Sequence, residues 1–283
     1  MTTTTQNGIL FSPSPATTRL GQISFINSLP IVVPLEKHYV PVNATTYSAD
    51  PAALNRRVLR GELDVSAMSS FFYLQKAKEL SLVPNISISC VGPVGSVLFF
   101  AKEEPANLNG KIIQTSSSSA TSVNLLQVLL AEQFGVRPKI IATPEPDMTK
   151  PEVAGALLIG DQALSLNEKW AGNYLTIDLG QWWMQKFHLP MVFGVWAARN
   201  DWKQERPFEF DRMVDALTRA KNLGLGNRFN EVIDEATKRS GLTRGELTIY
   251  YKRLLNFDYT ERHAAGLETY KKLCEKHGLL KAE

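Results

Sequence analysis

The residues best suited to chemistry in this chain are hydroxyls. Thr115–Ser122 reads TSSSSATS, with seven hydroxyl side chains in eight positions. The run lies between a predicted strand, Lys111–Gln114, and a predicted amphipathic helix, Val123–Phe134, which Gly135 stops. At a helix N-terminus the first backbone N–H groups lack an intrahelical partner, and the dipole favours an anion. Ser119, Thr121 and Ser122 would add side-chain donors there, which makes a carboxylate or phosphate pocket. Capping alone would need only one of them. The segment is not a P-loop, because GK[ST] is absent.

Asn27-Ser28 and Ser69-Ser70 also follow predicted strands. Each places small hydrogen-bonding groups at a strand's carboxyl end, where clefts form. Turn and capping chemistry would explain either one by itself, but three such stations on one cleft point to ligand binding. Gly160-Asp161 follows the predicted strand Ala156–Ile159. Asp161 fits a general base, a ligand acceptor, or the N-cap of a helix at Gln162–Ser165, and spacing favours the cap. Asp178 repeats the situation, with capping favoured more strongly. Trp182, Trp183 and Trp196 read as core, and His188 as a surface residue. No paired carboxylates, Ser-His-Asp order or Cys-His pairing stands out, so an activated-nucleophile hydrolase has little support. The four histidines are scattered without HExxH, and no metal site is expected. Cys90 and Cys274 read as two buried thiols of a reducing compartment rather than a disulfide.

These stations need elements to hold them. Strands are predicted at Arg19–Ile26, Val40–Tyr47, Leu63–Ala67, Ile86–Val91, Ser96–Ala101, Lys139–Ala142, Tyr174–Ile177 and Val192–Ala198, besides those named above. Asn27–Pro30 reads as a turn, because Pro30 biases Leu29 away from helix. Asp50 and Pro51 open a helix ending at Gly61, and another runs from Phe71 to Leu80. After Asn200 the pattern is helical only: Phe208–Asn222, Phe229–Ser240, Arg244–Asn256 and Thr260–His277. The expected architecture is α/β, in two lobes with C-terminal helices. The first lobe would hold residues 19–91 and 196–283 and the second 95–191, with crossings near 92–95 and 192–196. A ligand would sit in the cleft between them.

The composition agrees with such a body. The chain has 283 residues, 44% of them hydrophobic, and a net charge of +3 from 31 basic and 28 acidic residues. No basic tract marks a nucleic-acid face, and no apolar run approaches the ~20 residues of a membrane span. Met1–Thr18 carries no charge and no signal-peptide core, so it reads as a disordered tail on a cytoplasmic protein.

Read together, ISFINSLP (Ile23–Pro30), GELDVSAMSSFFYL (Gly61–Leu74), ISISCVGPVGSVLF (Ile86–Phe99), TSSSSATSVNLLQVLL (Thr115–Leu130), ALLIGDQAL (Ala156–Leu164) and DLGQWW…LPMVFGVWA (Asp178–Ala197) resemble the chorismate dehydratase family of the futalosine route to menaquinone. The match runs from about Arg19 to Tyr270. The resemblance implies a two-lobed periplasmic-binding-protein-like (type II) fold used as an enzyme. It implies a lyase that removes water from chorismate to give 3-[(1-carboxyvinyl)oxy]benzoate, with no cofactor or metal. The family's active-site asparagine falls on Asn27, and the serine of its GPVxS-type stretch on Ser96. Phe25-Ile26-Asn27-Ser28 stands where the family has aromatic-Leu-Asn-Thr, Phe187-His188 replaces a Thr-Gly pair, and Gly194 an alanine. Under this resemblance Asn27, Ser96 and Asp161 are the candidate catalytic residues. Ser28, Ser69, Ser70, Ser119, Thr121 and Ser122 are the candidate substrate contacts. The base is either Asp161 or the substrate's own enolpyruvyl carboxylate, with the latter ahead. A sister enzyme forming 1,4-dihydroxy-6-naphthoate and a solute-binding protein for a small carboxylate are the rival readings. The oligomeric state is open.

Overall fold

The computed structural model describes residues 17–115 and 120–281. Ser119 and most of the expected tail, residues 1–16, lie outside the described residues, whereas Thr18 already belongs to the first strand. In the first lobe the chain forms β1 (Thr18–Ile23), α1 (Leu29–Glu36), β2 (Ala44–Ala49), α2 (Pro51–Leu59), β3 (Val65–Ser69), α3 (Ser70–Gln75) and β4 (Leu80–Cys90). The second lobe holds β5 (Val97–Ala101), β6 (Ile112–Thr115), α4 (Ala120–Phe134), β7 (Lys139–Ala142), β8 (Val153–Ile159), α5 (Gly160–Ala171), β9 (Leu175–Asp178) and α6 (Leu179–Phe187). The chain then returns through β10 (Met191–Arg199) to α7 (Asn200–Glu205), α8 (Pro207–Leu225), α9 (Phe229–Ser240), α10 (Arg244–Ile249) and α11 (Glu261–Lys276).

The strands make two five-stranded sheets, ordered β2-β1-β3-β10-β4 and β7-β6-β8-β5-β9. The two are built alike: three parallel strands, then one strand antiparallel to both its neighbours. Each parallel strand except β7 feeds a helix, so helix N-termini gather at the carboxyl edges of both sheets, where open α/β sheets bind ligands. The second crossing lies earlier than 192–196. β10 pairs with β4 from Met191 opposite Cys90 to Arg199 opposite Leu80, so the chain is already back in the first sheet at Met191. The crossing is therefore at 188–190.

The sequence-based turn at Asn27–Pro30 is corrected by α1. Seven of its eight residues are buried, which makes it apolar on all sides. Pro30 sits in the first turn, where its missing N–H has no intrahelical partner to lose. Pro34, inside the helix, leaves the Pro30 carbonyl without its usual i+4 donor. Helix α8 crosses at that carbonyl: a Cβ on Gly224 would stand 1.9 Å from the Pro30 oxygen. Gly224→Ala is therefore expected to force the two helices apart and cost about 3 kcal/mol of stability, read as a lower denaturant midpoint.

The Asp50 cap appears as expected, accepting from the Ala53 N–H at 2.9 Å. Trp183 and Trp196 are fully buried and Trp182 nearly so, while His188 is exposed in a left-handed turn. Both cysteines are buried and unpaired. Among the described residues no helix is long and apolar enough to cross a membrane.

Candidate active site

Between the two sheets lies a cavity with about 600 Å³ of empty space, its open mouth included. Ile23, Phe25, Met68, Ile88, Ile159 and Phe193 supply apolar wall. Asn27, Ser69, Ser96 and Ser122 supply the polar groups, and among the described residues no charged side chain lines it. Positive potential comes instead from backbone. Asn27 precedes α1, Pro51 opens α2, Ser69 caps α3, Ser122 lies in the first turn of α4, and Gly160 opens α5. Each helix directs its N-terminal partial positive charge at this space.

Asn27 rides on a 3-10 turn, Ile26–Ser28, that is pinned from several sides. The Ser28 hydroxyl bonds the carbonyls of Ile23 at 2.7 Å and Phe25 at 2.8 Å and is fully buried. Ser28, expected as a substrate contact, thus shapes the turn and does not line the cavity. The Ile26 N–H donates to Asp161 Oδ1 at 3.4 Å from the other lobe, and the Ile26 carbonyl accepts from the Tyr251 hydroxyl at 2.7 Å. Held this way, the Asn27 Oδ1 is buried without a partner among the described residues. Buried acceptors are nearly always satisfied, so an unpartnered one on a cavity wall is suited to a ligand donor.

Asp161 is not the helix cap that spacing favoured. It is the second residue of α5, whose cap position is Ile159 with no side-chain bond. Nor is it part of the cavity wall, because its Oδ1 faces the Ile26 amide. Burial pushes its carboxyl above the usual range, against the pull of the Ile26 and Asp161 N–H groups and of Arg239. Asp178 does cap α6, accepting from Gly180 at 2.9 Å and Gln181 at 3.1 Å. It also accepts from Val94 and Gly95, which fixes the first crossing beside Ser96.

The serines and threonine divide in two. Ser96 is buried on the wall and accepts from the Tyr250 hydroxyl at 3.0 Å. Ser69 lines the cavity while its hydroxyl caps α3, accepting from the Phe72 N–H at 3.3 Å. Ser122 is also on the wall. Thr121 is not: its hydroxyl accepts from the Phe71 N–H and its carbonyl from the Tyr270 hydroxyl, both at 3.0 Å, which ties α4 to α3 and α11. Ser70 is fully buried away from the wall, its hydroxyl unpartnered among the described residues. Ser28, Ser70 and Thr121, expected as substrate contacts, thus stand off the cavity wall, whereas Ser69 and Ser122 are on it.

Sequence reasoning missed Tyr250 and Tyr251. They open a π-helical turn, Tyr250–Leu254, where a straight helix was expected. The wider turn lets two successive tyrosines reach opposite sides of the site, Ser96 and Ile26. Nothing local marks this, since the contacts span 154 and 225 residues.

Comparison with known proteins agrees with this geometry. A family model described as menaquinone biosynthesis matches residues 18–276. A chorismate dehydratase of Thermus thermophilus is 35% identical over 239 residues, covering 78% of this chain and 83% of the relative. Among solved structures, an Archaeoglobus fulgidus protein superposes with a TM-score of 0.73 at 19% identity, over 94% of this chain and 99% of that one. The alkanesulfonate-binding protein of Xanthomonas axonopodis pv. citri, bound to MOPS, gives 0.68 at 16% identity, over 95% and 96%. These likenesses establish the two-lobed periplasmic-binding-protein fold. With its family model matched nearly end to end and a dehydratase relative at this identity, the chain belongs to the chorismate dehydratase family of menaquinone biosynthesis.

Proposed function

We propose that the chain is a hydro-lyase that converts chorismate to 3-[(1-carboxyvinyl)oxy]benzoate and water. The observation that carries this reading is the cavity itself: an apolar space ringed by helix N-termini, with Asn27 and Ser96 facing it and no charged side chain on the described wall. Chorismate is a dianion. Oriented backbone amides and hydroxyls can hold its carboxylates without a mobile cation. Loss of water across C3 and C4 makes the ring aromatic, so the driving force resides in the substrate. What remains for the protein is to orient the ring, favour removal of the C3 proton and help the C4 hydroxyl leave.

Asn27 and Ser96 hold and polarise the reacting groups. The C3 proton goes to the substrate's own enolpyruvyl carboxylate, which lies near C3. Asp161 is placed to steady the turn under Asn27, with its Oδ1 toward the Ile26 amide. Ser122, at the start of α4, receives a carboxylate. Ser122→Ala is expected to weaken chorismate binding by about 1–3 kcal/mol in a calorimetric titration. Thr121→Ala would instead lower stability, because it leaves the Phe71 N–H unpaired, with binding little changed.

Incubation of the purified chain with chorismate tests the function. Formation of an aromatic product lighter by one water, followed by mass and ultraviolet absorption, supports it. Tight binding of chorismate without turnover would instead support a solute-binding protein. Inertness toward chorismate would favour the sister naphthoate-forming reaction.

A further inference from the structure

We infer that Tyr250 is a positioning residue that acts through Ser96, turning the serine hydroxyl into an oriented hydrogen-bond donor for the group that leaves from chorismate. This inference rests on the dehydratase reading of the same cavity.

The geometry has three parts. The Tyr250 hydroxyl donates to Ser96 Oγ at 3.0 Å, and Tyr250 is 1% exposed. A phenol is the stronger acid of the two hydroxyls, so the tyrosine is the natural donor. The serine oxygen then has an acceptor position filled, and its own proton is left for the cavity that Ser96 lines. In a chain of hydrogen bonds each link polarises the next, so a serine that accepts from a phenol donates more strongly.

The surroundings fix this arrangement. The Ser96 carbonyl accepts from the Gly160 N–H at 2.7 Å, so the serine backbone is tied to the start of α5. Gly95 adopts φ +70°, and a Cβ there would meet Leu254 of the π turn at 2.7 Å. The segment carrying Ser96 and the turn carrying Tyr250 are thus closely fitted. Burial holds the Tyr250 phenol well above the ordinary tyrosine range, and nearby Asp161 reinforces this against the opposing Ser96 bond. The phenol therefore stays protonated and remains a donor. The π turn has a local reason to exist here, because regular helix would not aim both Tyr250 and Tyr251 at the site.

A double-mutant cycle on chorismate turnover tests the inference. Tyr250→Phe keeps the ring and removes only the hydroxyl. We expect its kcat to fall about tenfold, with KM within about twofold of wild type. Ser96→Ala should fall further, by about a hundredfold. Tyr250→Phe added to Ser96→Ala should then change kcat by less than about twofold, because the tyrosine no longer has a hydroxyl to act through. A purely structural tyrosine would lower the melting temperature in both backgrounds but would not show this split. An unchanged kcat in Tyr250→Phe, or a second tenfold loss in the double variant, overturns the inference and leaves the dehydratase reading intact. No turnover by the wild type overturns that reading, and the inference with it. Should Tyr250→Phe fail to fold, 3-fluorotyrosine in place of Tyr250 keeps the hydroxyl and makes it a stronger donor. A raised kcat then supports the inference, and an unchanged or lower one overturns it.

Discussion

Asn27→Ala is expected to lower kcat on chorismate by about 10²–10³, with KM within a few-fold of wild type. The expectation follows from where the amide stands. Its Oδ1 is buried on the cavity wall and bonds nothing among the described residues. Truncation therefore leaves no internal group unpaired, and the fold should keep its stability. The turn that carries Asn27 is held by Ser28, Asp161 and Tyr251, all untouched by the change. What is lost is a preorganised contact to the reacting part of the substrate, whose worth appears mainly in the transition state. Steady-state kinetics with a melting curve on the same preparation check this. A variant with unchanged kcat and an intact fold would remove Asn27 from the mechanism.

The second large effect concerns the proton acceptor. Chorismate with its enolpyruvyl carboxylate converted to an amide should turn over about 10²–10⁴ more slowly with the wild-type protein, the usual worth of a general base. The analogue also loses a charge that the helix N-termini favour, so occupancy has to be established by titration and the rate compared at saturation. Asp161→Asn provides the contrast. An amide oxygen can still accept from the Ile26 N–H, so the turn under Asn27 is kept and the rate should fall by less than about tenfold. Were Asp161 the base, the two results would change places: the bound amide would react at a near-normal rate and Asp161→Asn would show the loss.

Much of this site is legible in the sequence, because local rules operate there. Asp50 before Pro51 and Gly135 after an amphipathic run mark helix ends, and α2 and α4 lie close to where those signals place them. Ser69 caps α3 as its position after a strand requires. Helix α9 matches its periodicity residue for residue. The failures come where a distant partner decides. Pro30 and Pro34 argue against helix locally, yet burial of seven side chains under α8 and α9 overrides them. Ser28, Ser70 and Thr121 have the same side-chain chemistry as Ser69, Ser96 and Ser122. Only the fold determines which hydroxyls meet backbone and which meet the cavity. Asp161 reads as a cap because a carboxylate after a strand usually is one, but its oxygen crosses to the other lobe. The aromatic pair Tyr250–Tyr251 looks like any apolar helix face until the π turn separates their directions.

The most direct measurement of the central claim uses chorismate deuterated at C3. Dehydration across C3 and C4 must break the C3–H bond and keep the enolpyruvyl ether. The account therefore predicts 3-[(1-carboxyvinyl)oxy]benzoate with no deuterium, formed more slowly than from unlabelled chorismate when proton removal limits the rate. Recovery of unchanged labelled chorismate from the protein, or an aromatic product that has lost pyruvate and kept the C3 deuterium, would contradict it.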